Sequence, residues 1–153
     1  MTENHDLARF VRAQAGCYRT ALAELEAGEK RTHWMWFVFP QILGLGLSDN
    51  ARLYAISDGE EARAFLDHEL LGPRLRECTS AVLDWAGKRS PTDIFGPIDA
   101  LKFRSSMTLF AEVSEDNGNV FVRALEAFFG GASDTATLDR LANDRTDLKG
   151  ASA

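Results

Sequence analysis

Two cysteines, Cys17 and Cys78, are too few and too far apart for a disulfide framework or a four-thiolate metal site, so each is expected to be a buried thiol. Histidine is equally scarce: three in 153 residues, with no H-E-x-x-H pair, and neither C-x-x-C nor G-x-S-x-G occurs. His68 lies between Asp67 and Glu69, and it and His5 read as surface positions; Glu60-Glu61 reads as helix-end charge. No metal and no cofactor are therefore expected. Basic residues are in deficit, 17 against 23 acidic, for a net charge of -6. That excludes a broad nucleic-acid surface but leaves room for a small cationic pocket. The longest apolar run, Trp34 to Phe39, is far too short to span a bilayer. The opening MTENHDLARF has no apolar core of the signal-peptide kind, so no membrane association and a cytoplasmic location are expected. Sustained apolar/polar alternation is missing, as is an Asn-Gly or Asp-Gly hairpin between strand-like runs.

What remains is helical. With 45% hydrophobic and 26% charged residues the chain reads as one globular domain over 1–142, with a frayed tail over 143–153. Leu7, Phe10, Val11, Tyr18, Leu22 and Leu25 recur at helical spacing, predicting one helix of about six turns between Asp6 as N-cap and Gly28. Ser57-Asp58-Gly59-Glu60 and Ser90-Pro91-Thr92-Asp93 each fit a capping box. Helices are further expected over 70–86, 98–113, 120–129 and 135–141, with Leu101, Phe103, Met107, Phe110 and Val113 buried on the third-last of these. The fold class predicted is all-α: a compact single-domain bundle of about six to eight helices around a buried central aromatic segment.

Two segments stand out. In His33-Trp34-Met35-Trp36-Phe37-Val38-Phe39-Pro40-Gln41, consecutive large apolar residues leave no solvent face in any regular geometry, so the segment belongs in the core. His33, Trp34, Trp36 and Gln41 carry polar atoms that need partners there, and a partner can be a ligand. In Asp99-Ala100-Leu101-Lys102-Phe103-Arg104-Ser105-Ser106, helical geometry puts Asp99, Lys102 and Ser106 on one stripe and Arg104 with Thr108 on a neighbouring one. Paired serines in mid-helix compete for backbone hydrogen bonds, which asks for a reason: a small-residue helix seam or a polar pocket. Lys102 or Arg104 with the Ser105 and Ser106 hydroxyls could surround an anionic group. The Gly44-Leu45-Gly46-Leu47-Ser48 loop lacks the G-x-G-x-x-G fingerprint, because position 49 is Asp, and reads as a turn that could line a site.

The blocks HWMWFVFPQ, GLG, YAIS, LGPRL, IFG and LKFRSSMTLF resemble the bacterial family catalogued as domain of unknown function 1810, over nearly the whole chain. The resemblance implies a compact, mostly helical single domain and no established activity. It also marks two departures: Asp99 stands alone where the family often has an acidic pair, and Ile98 stands where proline is common.

Two functions follow as expectations. The first is a small-molecule site for a phosphorylated or nucleotide-like anion, built from Trp34, Trp36, Gln41, Lys102, Arg104, Ser105 and Ser106, with His33 as candidate acid–base group. The second is a non-enzymatic helical module that docks a partner or its own copy through an exposed apolar patch. Whether the chain is an enzyme, and whether it forms a homo-oligomer, the pattern leaves open.

Overall fold

A computed structural model describes the backbone of residues 6–46, 48–116 and 118–152, with side chains through 143. His5 lies outside the described residues. Ten helices are found among the described residues: α1 (Ala8–Ala15), α2 (Tyr18–Glu26), α3 (Met35–Val38), α4 (Asp49–Leu53), α5 (Gly59–Asp67), α6 (Leu71–Leu83), α7 (Pro91–Phe95), α8 (Pro97–Val113), α9 (Val120–Phe129) and α10 (Thr135–Ser152). The fold is all-α; among the described residues the one strand-like contact is a parallel bridge between Ile42 and Ile56. The helix count exceeds six to eight because short turns at α3, α4 and α7 stand as separate elements and the long first helix is broken. The break falls at Gly16-Cys17, where the chain leaves α1 and restarts with no side-chain cap; Leu7, not Asp6, occupies the N-cap position of α1.

Capping chemistry sets several starts. Ser90 and Asp93 form the expected reciprocal box, and Gly96, at φ 84°, ends α7 and leads into α8. The second box is shifted by one residue: Asp58 caps α5 by accepting from Glu61 N–H, and the Glu61 carboxylate accepts from Ser57 N–H. Glu61 is thus no solvated helix-end charge. It is buried and holds Arg9, which also donates to the Leu53 and Ala55 carbonyls and so pins the 53–57 segment. His68 is likewise no loop decoration, since its Nδ1 accepts from Leu70 and Leu71 N–H at the start of α6. Gly72, in the first turn of α6, lies so close to the Leu66 carbonyl that a Cβ would sit 2.1 Å from its oxygen.

The core is aromatic. Phe39 packs edge-on against Phe95 and Phe103, 6.0 and 5.0 Å between ring centres, while Phe65 links Phe10 to Phe110. Helix α8 runs through the middle, packed on α5, α7, α9 and α10, and four of its five expected core residues are buried. Leu101 is the exception at 64% exposed, because it points away from the Phe103–Met107–Phe110 face. Both cysteines are free thiols; Cys78 is buried and Cys17, beside the helix break, only half so. Burial pushes the Cys78 thiol up to about 12, which keeps it protonated at neutral pH.

Candidate functional site

The aromatic segment runs inward as expected, but its two tryptophans differ. Trp34 is fully buried, and its indole N–H donates to Glu24 Oε1 at 2.8 Å. Glu24 also accepts from Arg31 N–H, Thr32 N–H and Thr32 Oγ1, tying the chain between α2 and α3 together. Burial alone would raise this carboxyl, but the four hydrogen bonds outweigh it and bring it down to about 2. The indole N–H of Trp36, which is half-buried, has no acceptor among the described residues. His33, between the Glu24 anchors, is exposed.

Trp36 faces a cleft of about 310 Å³, counting its open mouth, whose walls include Phe39, Tyr54, Gln41, Gly46 and Lys102. As closed in this structure it has room inside for about one water. The Gln41 amide finds no partner among the described residues. The glycine loop folds over the cleft's edge because Gly44 takes φ +102° and lies against the Arg140 guanidinium, whose carbon would be 2.6 Å from a Cβ. Lys102 reaches the cleft from α8, its Nζ 5.4 Å from the centre of the Trp36 ring and 3.6 Å from Asp99 Oδ1. Asp99 Oδ2 is held at 2.9 Å by Lys30, which lies over Trp34 as Lys102 lies over Trp36.

The structure therefore brings together Trp36, Gln41 and Lys102, and separates the rest. Trp34 is a core residue with its donor committed. His33 does not line the cleft. Arg104, two residues beyond Lys102, points about 200° around the helix; its Nε and Nη2 donate to the Ala132 and Ser133 carbonyls at 2.9 and 3.1 Å. Ser105 donates to Leu101 O and approaches Asp134 Oδ2 at 3.1 Å, and Asp134 also accepts from Thr137 N–H at the start of α10. Arg104, Ser105 and Thr108 thus fasten α8 to α10 rather than surround a ligand. Ser106 is fully buried on the Lys102 side of α8, one turn further on. Unlike Ser105 and Thr108, which return hydrogen bonds to the fourth carbonyl back, its Oγ has no partner among the described residues. Sequence reasoning missed Lys30, Glu24 and Tyr54. Lys30 and Tyr54 carry no local signal, whereas Glu24 sits beside the apolar stripe of α2, where a buried acceptor could have been sought.

Among the described residues no cluster of His, Cys, Asp and Glu fits a metal ion, and no helix is long and apolar enough to cross a membrane.

No curated protein matches the chain. Its fold is similar to the crystal structure of a conserved hypothetical protein from Mycobacterium tuberculosis, at 55% identity and a TM-score of 0.86, over 90% of this chain and 96% of that one. The family model described as "Protein of unknown function (DUF1810)" matches residues 4–141. The chain belongs to that family.

Proposed function

We propose that the cleft between α3, the 41–55 segment and α8 binds a small organic anion of the phosphorylated or nucleotide-like kind. The observation that carries this reading is the convergence of Trp36, Gln41 and Lys102, from two segments distant in sequence, on one concavity. Each supplies a different contact: an indole face for a flat ring, an amide with unmatched donors and acceptor, and an ammonium for the anionic group. Lys102 now covers the ring that the ligand would stack on, so binding displaces it toward the anion. The reading is one of binding; His33, exposed and outside the lining, is given no chemical step.

A thermal-shift screen against inorganic phosphate, sulfate, AMP and ADP tests it. AMP is expected to raise the melting temperature of the wild type and to leave that of Lys102→Met unchanged. Flat curves across the panel would remove the proposal. A second reading, docking of a partner on the first turns of α8, draws on Ile98 and Leu101, which are 70% and 64% exposed. Concentration-dependent self-association that disappears in Ile98→Ser/Leu101→Ser would favour it.

A further inference from the structure

Asp99 has an ammonium group on each side, and the two are held differently. Lys30 Nζ is 2.9 Å from Oδ2, its side chain only 9% exposed, and its backbone N–H is fixed to the Ile94 carbonyl. Lys102 Nζ is 3.6 Å from Oδ1, beyond the usual length of a charge-assisted hydrogen bond, and its side chain is 30% exposed. Withdrawing Lys102 therefore leaves Asp99 with its short bond intact. A carboxylate stripped of Lys30 would instead hold Lys102 for itself.

We infer that Lys102 is the movable cation of the cleft, that Lys30 and Asp99 are the positioning pair that leaves it free, and that the ligand is a flat molecule with one anionic group. The ligand half of this inference rests on the binding reading above. Nucleoside monophosphates and aromatic carboxylates share that chemistry. A second anionic group in series would meet no other cation among the described residues that line the cleft; Arg140, at the glycine-loop edge, donates to the Gly44 carbonyl. Lys30 stays on Asp99, Arg104 is spent on two carbonyls on the other side of α8, and Arg9 is engaged by Glu61 and backbone carbonyls. Asp99, the one carboxylate beside that cation among the described residues, is also paired with Lys30, so the Lys30–Asp99–Lys102 group carries a net single positive charge.

Two readouts on the full chain test the inference. In protein labelled with 5-fluorotryptophan, the Trp36 fluorine resonance is assigned by Trp36→Phe. Without any ligand, Lys30→Met is expected to move that resonance toward its position in Lys102→Met, because Lys102 transfers from the indole face to Asp99. Lys30→Arg is expected to restore it. With AMP and benzoate as probes, Lys30→Met should weaken binding about fivefold or more, and Asp99→Asn should tighten it by a similar factor. ADP should bind the wild type no tighter than AMP. A Lys30 that serves only stability would lower the melting temperature while leaving resonance and affinities in place, and that result overturns the positioning role. ADP binding about tenfold tighter than AMP overturns the single-anion assignment. If the resonance moves as expected but neither AMP nor benzoate binds, the binding reading and the ligand assignment fall together while the positioning pair stands. Should Lys30→Met not fold, Lys30→Gln carries the same readouts.

Discussion

Trp34 and Trp36 stand two positions apart, each with a lysine over its ring, and the two lysines share Asp99. The inner pair is built in: Trp34 is fully buried with its N–H given to Glu24, and Lys30 is almost enclosed. In the outer pair the Trp36 indole N–H has no acceptor among the described residues, and Lys102 reaches Asp99 only at 3.6 Å with its side chain 30% exposed. Identical residue types thus serve the fold in one place and remain available in the other. What separates them is whether each donor already has an acceptor inside the protein. The same contrast recurs around α8, where Arg104 is used up by backbone carbonyls and Lys102 is not.

The largest expected effect breaks the tryptophan comparison directly. Trp34→Ala should cost about 3–5 kcal/mol in urea unfolding, as removal of a buried tryptophan does. Trp36→Ala should cost well under half of that, since the ring is only half-buried. Equal losses would mean that Trp36 is a core residue and not a site wall. Next comes the cation pair. Arg104→Ala should lose about 1.5–3 kcal/mol, the range for hydrogen bonds made by a charged group, whereas Lys102→Met should stay within about 0.5 kcal/mol of wild type. The serines sharpen the contrast further. Ser105→Ala should destabilise by about 1 kcal/mol. Ser106→Ala should be neutral or stabilising by about the same amount, because the hydroxyl it removes is buried without a partner.

The most condition-dependent effect concerns Glu24. Its folded pKa, about 2, lies below the ordinary 4.5, so its contribution is present in full above 4.5 and disappears as pH falls toward 2. The melting temperature of wild type should exceed that of Glu24→Gln at pH 7. The gap should close between pH 4.5 and 2, and a gap independent of pH would contradict the assignment.

Much of the helical frame was legible because it depends on local signals. The Ser90–Asp93 box and the periodicity of α8 and α9 are set by neighbours three or four residues away. The break at Gly16-Cys17 was not legible, since the apolar spacing carries across it without a fault. Nor was the burial of Glu61, whose partner Arg9 lies on another helix. At the site, the aromatic block and the Lys102 segment were each conspicuous, but a chain pattern contains no information on which side of α8 meets which loop. Lys102 and Arg104, on neighbouring stripes of the pattern, therefore stood as alternative cations for one anion, although about 200° of helical rotation separates them. Trp34 and Trp36 looked alike for a related reason: their difference is made by Glu24, Lys30 and Tyr54, which arrive from elsewhere.

The most direct test is the melting temperature of wild type, Lys102→Met and Arg104→Ala with and without saturating AMP. A ligand at about 100 times its dissociation constant stabilises by about 2.7 kcal/mol, several degrees for a domain of this size. The account predicts that shift in wild type and in Arg104→Ala, on its lower baseline, and its loss in Lys102→Met. A shift that survives Lys102→Met and vanishes in Arg104→Ala would place the anion on the opposite side of α8 and contradict the site.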